Sequence, residues 1–116
     1  MTEQAFSKVV VLDCSEGIAG GYCTKLLADF GATVIKIEKP GKGDATRSMG
    51  PFQNDVPDIE KSGAFFYLNT NKKSITLNLE TETGRDVRLC ARARLVLESG
   101  GCEHPVGQLE VDMEAV

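Results

Sequence analysis

The sequence has no tryptophan, a single histidine (His104), and aromatic residues amounting to only 6% of the chain. With its one imidazole so near the C-terminus, the chain is a poor candidate for Ser-His-Asp or Cys-His catalysis. The four cysteines, Cys14, Cys23, Cys90 and Cys102, form no C-x-x-C pair. A zinc site needs about four well-spaced ligands; none is spelled out, so no metal is expected. Cys14 and Cys23 sit among apolar residues and are expected to be buried thiols. H-E-x-x-H and the P-loop G-x-x-x-x-G-K-[ST] are both missing. No apolar run reaches transmembrane length, and no basic n-region precedes an apolar h-region; the chain reads as cytoplasmic, without a membrane partner. Net charge is −4, which gives no bulk attraction to nucleic acid. Any bound phosphate must therefore be held by a local cluster of basic groups.

What is present suits one modest domain: 116 residues, of which 41% are hydrophobic. Lys8 to Leu12, "KVVVL", is a continuous apolar run, as in a strand covered on both faces. A turn with three glycines follows, "DCSEGIAGGYC". Apolar residues at Tyr22, Leu26, Leu27 and Phe30 then have helical spacing. Gly31 stands where a helix C′ glycine belongs, and "TVIKI" is β-branched and reads as a second strand. Short links of this kind favour parallel strands with a right-handed crossover.

Residues 39–63 form a long loop rich in Gly and Pro. Loops of that length are usually functional or mobile. "AFFYLN" suits a short helix or strand, and "SITLNL" alternates like a strand. Thr81 can cap a helix over Glu82 to Ala93, with acidic residues in its first turn. "RLVLE" reads as a last strand. The tail, residues 99–116, is weakly patterned apart from a final turn at "VDMEAV". The expected class is α/β, with a Rossmann-like, mostly parallel sheet and flanking helices.

Strand, glycine turn, helix, strand and then an acid, Glu38, is the order of a dinucleotide-binding unit. The G-x-G-x-x-G fingerprint is missing, however; the turn reads Gly17-Ile18-Ala19-Gly20-Gly21. Gly20 and Gly21 either face a ligand or let the helix pack tightly on the sheet. Lys39, Lys42 and Arg47 follow the second strand, and Lys72 and Lys73 lie in another loop. They form a phosphate cluster if both loops share one end of the sheet, and are otherwise ordinary solvated side chains. Asp44 suits a tight turn. Arg47 is assigned a structural pairing with Asp44 or Glu38. Asp13 is expected to cap the turn after its strand rather than act as a nucleophile.

The stretches "VLD", "CTKLLADFGATVIKIEKPGKGDATR", "FFYLNTNKKSITLNL", "TGRDV" and "LVLES" resemble, in order and spacing, the N-terminal part of the class III CoA-transferases. This family includes formyl-CoA transferase, carnitine/bile-acid CoA-transferases and α-methylacyl-CoA racemases. The resemblance runs from about Val9 to Ser99 and implies that residues 1–116 are an N-terminal, Rossmann-like CoA-binding portion. It implies transfer of coenzyme A between carboxylic acids with no metal or organic cofactor, the CoA thioester being a substrate. It also implies intertwined dimers, and a nucleophilic aspartate that forms acyl-enzyme anhydrides. That aspartate lies beyond the matching residues and none here maps onto it, so no catalytic residue is assigned and no turnover by this chain alone is expected.

Carried over residue by residue, the CoA-contacting turn maps to Gly17, Ile18 and Ala19, and the basic residue beside the adenine nucleotide to Lys39. A strand-end contact maps to Leu77, Asn78, Leu79 and Glu80, and a last contact to Ser99 and Gly100. The departures are Ile18 where transferases often carry Gln, Lys39 where Arg is common, and Glu98-Ser99-Gly100 in place of E-N-F/Y. In the family the N-terminal sheet is completed by distant chain, so an open edge is expected here, with self-association or pairing with a complementary chain. The alternatives are a non-catalytic CoA- or nucleotide-binding or dimerisation module, a racemase fragment, or an NAD(P)-binding Rossmann domain with Glu38 on the ribose.

Overall fold

The computed structural model describes residues 3–87 together with the backbone of Glu114 and Ala115. Strand β1 (Val10–Asp13) pairs in parallel with β2 (Thr33–Glu38), and β2 in parallel with β3 (Lys73–Thr76). Two residues, Glu114–Ala115, add an antiparallel strand β4 to the far side of β3. The order across the sheet is thus the order along the chain, β1-β2-β3-β4. The chain is an α/β unit with a mostly parallel sheet, as the alternation of β-branched runs with a helical stretch predicts. The edge beyond β3 carries β4, while among the described residues no strand covers the outer edge of β1.

Helix α1 (Ile18–Asp29) connects β1 to β2. It opens inside the glycine turn, so Gly20 and Gly21 are helical residues. It ends in a Schellman motif. The Gly31 N–H donates to the Ala28 carbonyl (3.0 Å), and the Ala32 N–H to that of Leu27 (3.0 Å), with Gly31 at φ 104°. Only glycine adopts that conformation without steric cost. The next residues, Ala32 and Val34, drop straight into the core with Ala28, flanked by Val11 and Leu27.

Apart from Leu27, the large apolar residues of this helical stretch do not form the inner face of α1. Tyr22, Leu26 and Phe30 are exposed, whereas Gly21 and Ala28 are buried. The helix approaches its neighbours through small residues, and the i, i+4, i+8 row of large ones turns outward. Tight packing at the glycines is also not against the sheet. A Cβ on Gly21 would lie 3.5 Å from the Leu68 Cβ of helix α2 (Gly63–Asn69), and one on Gly20 would collide with Ser15 of the turn before the helix.

"AFFYLN" is helical, within α2. Ser62 caps α2 by accepting from the Phe65 N–H at 3.1 Å, and the buried faces of Phe65 and Leu68 close the core from this side. The long loop between β2 and α2 contains two short 3-10 turns, Ala45–Ser48 and Gln53–Asp55. "SITLNL" is a shorter strand than its alternation suggests: β3 stops at Thr76, although the Leu77 N–H still reaches the Glu38 carbonyl at 3.0 Å. A third helix, α3, covers residues 82–87. Thr81 caps it through the Gly84 N–H at 3.1 Å. A Cβ on Gly84 would sit 1.8 Å from the Asn78 carbonyl oxygen, so only glycine lets this helix close over the end of β3. The rest of the expected helix to Ala93, the strand "RLVLE", Ser99 and Gly100 lie outside the described residues. At the C-terminal end, "VDMEAV" supplies β4 rather than a turn.

Gly31→Ala forces a side chain into the left-handed region and against Gln4. It is expected to lower stability by about 1–2 kcal/mol. An unchanged urea midpoint would show that the Schellman turn does not anchor the junction between α1 and β2.

Candidate functional site

The carboxyl ends of the three parallel strands open on one side into a groove of about 580 Å³. Cys14 and Glu16 line it from the turn after β1, and Lys39, Pro40 and Lys42 from the loop after β2. Leu77, Asn78, Leu79 and Glu80 line it from the segment after β3. Open α/β sheets characteristically bind ligands at this end. Lys39 and the run Leu77 to Glu80 are thus brought together. Gly17, Ile18 and Ala19 do not line the groove; they follow Glu16 at the start of α1. Gly17 is the N-cap residue at φ 88°, with no side-chain cap, and Ile18 and Ala19 are exposed in the first turn. Glu16 links the two walls, its carboxylate 3.0 Å from the Lys39 ammonium. Asn78 shapes its own turn by accepting the Glu80 N–H at 3.0 Å.

The basic residues divide differently from the expected two-loop cluster. Lys39 and Lys42 share the groove. Lys72 and Lys73 precede and begin β3, at the opposite end of the strand. Lys73 is exposed, but Lys72 is neither solvated nor near the groove's basic wall: it is 1% exposed. Its ammonium donates to Asp13 Oδ2 (3.0 Å), the Gly21 carbonyl (2.9 Å) and Asn69 Oδ1 (2.8 Å). These three acceptors use all three of its protons.

Asp13 is the other half of this arrangement. Besides Lys72 it accepts from the Ser15 N–H (3.0 Å), the Ser15 hydroxyl and the Thr24 hydroxyl (2.6 Å). The turn-capping role expected of it is present, joined to a buried ion pair. Burial pushes its carboxyl up, but the hydrogen bonds from Ser15, Thr24 and Lys72 and the charge of Lys36 outweigh that and hold its pKa at about 2. For Lys72 burial wins: the ammonium lies below its ordinary range, with Asp13 only partly offsetting the loss of water.

Lys36, in the middle of β2, is fully buried and was given no role by the sequence pattern. Its ammonium lies 2.8 Å from Asp44 Oδ2 and 3.3 Å from the Ser15 carbonyl. Asp44 caps the turn Ala45–Ser48 through the Thr46 N–H at 2.8 Å, the local role expected of it. At the end of β2, Glu38 takes a two-pronged contact from Arg47 (2.7 and 3.0 Å) and a hydroxyl from Ser74 (2.9 Å). Burial raises the Glu38 carboxyl, and Arg47 and Ser74 more than reverse this, leaving it below its usual range. Arg47 also lies 3.8 Å over the Phe65 ring. Its pairing is therefore with Glu38, not Asp44. Both Glu38 oxygens are committed inside the protein, so Glu38 is not free to hold a ribose and the dinucleotide reading loses its acid. Cys14 and Cys23, expected to be buried, are exposed free thiols. Cys14 follows the end of β1 at the groove mouth, and Cys23 rides on the outer side of α1.

Residues 6–102 match CoA-transferase family III. The chain belongs to that family. Over 97 residues it is 43% identical to the succinyl-CoA:mesaconate CoA-transferase of Haloarcula marismortui, a match covering 82% of this chain and 24% of that protein. Over 101 residues it is 43% identical to a formyl-CoA:oxalate CoA-transferase of Escherichia coli, covering 83% of this chain and 23% of the relative. Among solved structures it is similar to a CAIB/BAIF family protein from Brucella suis, with a TM-score of 0.64 and 38% identity over 84% of this chain and 24% of that one. This family III chain thus spans about a quarter of the length of the curated relatives it matches. Among the described residues of this family member, no helix is long and apolar enough to cross a membrane.

Asp13→Asn leaves the Lys72 ammonium buried without its counter-charge. It is expected to cost about 3–5 kcal/mol. Chemical denaturation showing a loss below about 1 kcal/mol, the range of an exposed pair, would contradict the network described. The pH dependence has a definite sign. The native Asp13 pKa, about 2, lies below its ordinary value of 3.8, so its contribution is complete above that value and is lost as the pH falls towards 2. Asp13 alone should remove about 2 kcal/mol of stability between about pH 5 and about pH 2. A urea midpoint that stays level over that range would refute this.

Proposed function

We propose that this chain is the N-terminal coenzyme A-binding portion of a cytoplasmic CoA-transferase that moves coenzyme A between carboxylic acids. The observation that carries the reading is the groove. It gathers Lys39 and Leu77 to Glu80 at the carboxyl ends of parallel strands, together with Glu16, which leads directly into Gly17, Ile18 and Ala19. The relatives named above are CoA-transferases, which supports acyl-CoA and CoA as its ligands.

In this reading the nucleotide end of CoA lies along the basic wall. Lys39 and Lys42 are exposed cations on a chain of net charge −4, so they supply a local attraction that the whole chain does not. Lys39 exchanges its ion pair with Glu16 for a CoA phosphate. The uncapped N–H groups of the first turn of α1 add partial positive charge. Leu77 and Leu79 provide the apolar wall and Asn78 its turn. Ser99 completes the site from beyond the described residues. No metal or organic cofactor takes part. Among the described aspartates, Asp13 and Asp44 are buried and tied to lysines, which suits them to support and not to attack a thioester. In this reading the nucleophilic carboxylate is supplied by chain outside these residues or by an associated chain, as the family resemblance implies, and the protein works as a homo-oligomer or with a complementary chain.

Coenzyme A, and not NAD, should raise the melting temperature of the chain. Lys39→Ala should weaken CoA binding about five- to tenfold, and added salt should weaken the parent in the same direction. Stronger stabilisation by NAD, or undiminished CoA affinity in Lys39→Ala, would overturn this assignment.

A further inference from the structure

We propose that Lys36 is a positioning residue for the coenzyme A groove: it holds the groove's two flanking segments together from beneath. This rests on the reading of the groove given above. Lys36 sits on β2 with no exposed surface, and its ammonium reaches two segments that flank the groove. One is the turn after β1, through the Ser15 carbonyl at 3.3 Å, immediately before Glu16, Gly17 and Ile18. The other is the loop after β2, through Asp44 Oδ2 at 2.8 Å, which follows Lys39 and Lys42. Asp13 Oδ2, at 3.8 Å, completes its charge environment.

The chemistry requires a cation at this point. An apolar residue of similar length would fill the space but leave the buried Asp44 Oδ2 without its counter-charge and the Ser15 carbonyl without this donor. The Lys36–Asp44 contact is off the line of a well-formed hydrogen bond, and among the described residues Asp44 Oδ2 has no other donor. Asp44 Oδ2 is therefore held by charge attraction to Lys36, while Oδ1 is occupied by Thr46. The loop's other anchors, the Asp44 N–H and Arg47 on Glu38, reach the end of β2 and not the turn after β1. Without Lys36, the loop that carries Lys39 has no tether to the turn after β1 except the exposed Glu16–Lys39 pair, and exposed pairs hold weakly.

Lys72 provides the internal control. It is as buried as Lys36 and shares Asp13, but its other two acceptors, the Gly21 carbonyl and Asn69, belong to α1 and α2 and not to the loop of Lys39. A merely structural role predicts the same outcome for both lysines; a positioning role separates them.

The test compares the parent chain with Lys36→Met, Asp44→Asn and Lys72→Met by calorimetric titration with free coenzyme A and by hydrogen exchange over residues 39–46. Lys36→Met and Asp44→Asn are expected to weaken CoA about tenfold and to speed exchange in that loop. Lys72→Met is expected to lower the melting temperature while leaving CoA affinity and loop exchange at parental values. Parental CoA affinity in Lys36→Met, or an equal loss in Lys72→Met, overturns the proposal. If Lys36→Met does not fold, Asp44→Asn decides; if neither folds, the role is structural and the proposal fails. Should the parent itself bind no CoA, the reading of the groove fails, and loop exchange in Lys36→Met against Lys72→Met still decides whether Lys36 tethers the loop.

Discussion

The structure depends on buried charge being neutralised in place. Among the described residues, eight polar or charged side chains are buried and only six apolar ones, two of which are alanines. An apolar core this small cannot by itself fix the relation of sheet to helices. That relation is set by Asp13 meeting Lys72 across α1 and α2, Lys36 meeting Asp44 across β2 and its loop, and Arg47 clamping Glu38 to the loop. Such pairs gain little over apolar packing of the same shape. Their partners are demanding, however, because either group left alone in the interior is severely penalised. They therefore specify which segments must meet, more than they add to how firmly those segments are held.

The same arrangement separates support from binding. The charges under the groove are spent on one another and on backbone carbonyls, so they do not compete for a ligand. The charges on the groove, Lys39, Lys42 and Glu16, remain in water. Short parallel strands whose ends lie within two residues of one another in register let three connections reach a common mouth, and the Gly84 contact with the Asn78 carbonyl keeps α3 close behind the third of them.

Much of the backbone was legible in the sequence because it is written in local terms. β-branched runs gave β1 and β2, a glycine at C′ ended α1, and Thr81 opened α3. Of the residues that the family resemblance singles out, Lys39 and Leu77 to Glu80 line the groove. What could not be read was which charges are inside. Lys36 and Lys72 look like any surface lysine, and their partners lie 8 and 59 residues away along the chain. No periodicity encodes such pairings; the one local sign was a lysine interrupting the apolar run "TVIKI". The exposed Tyr22, Leu26 and Phe30 show the converse. Helical spacing identified a face but not its direction, because the inward face of α1 is built mainly from glycine and alanine, with Leu27 the one large side chain packed on the core.

The Asp13–Lys72–Asn69 contact joins the end of β1 to the junction between α2 and β3, 59 residues along the chain, and this bears on how the sequence can change over time. Removing one member strands the others, so single replacements fall into a deep valley of stability. A concerted exchange of the whole set for apolar residues could be neutral. Drift at these positions is thus expected to occur in jumps, several sites changing together or none. The exposed side chains of the groove, which depend on no such partner inside the protein, can instead be altered one at a time.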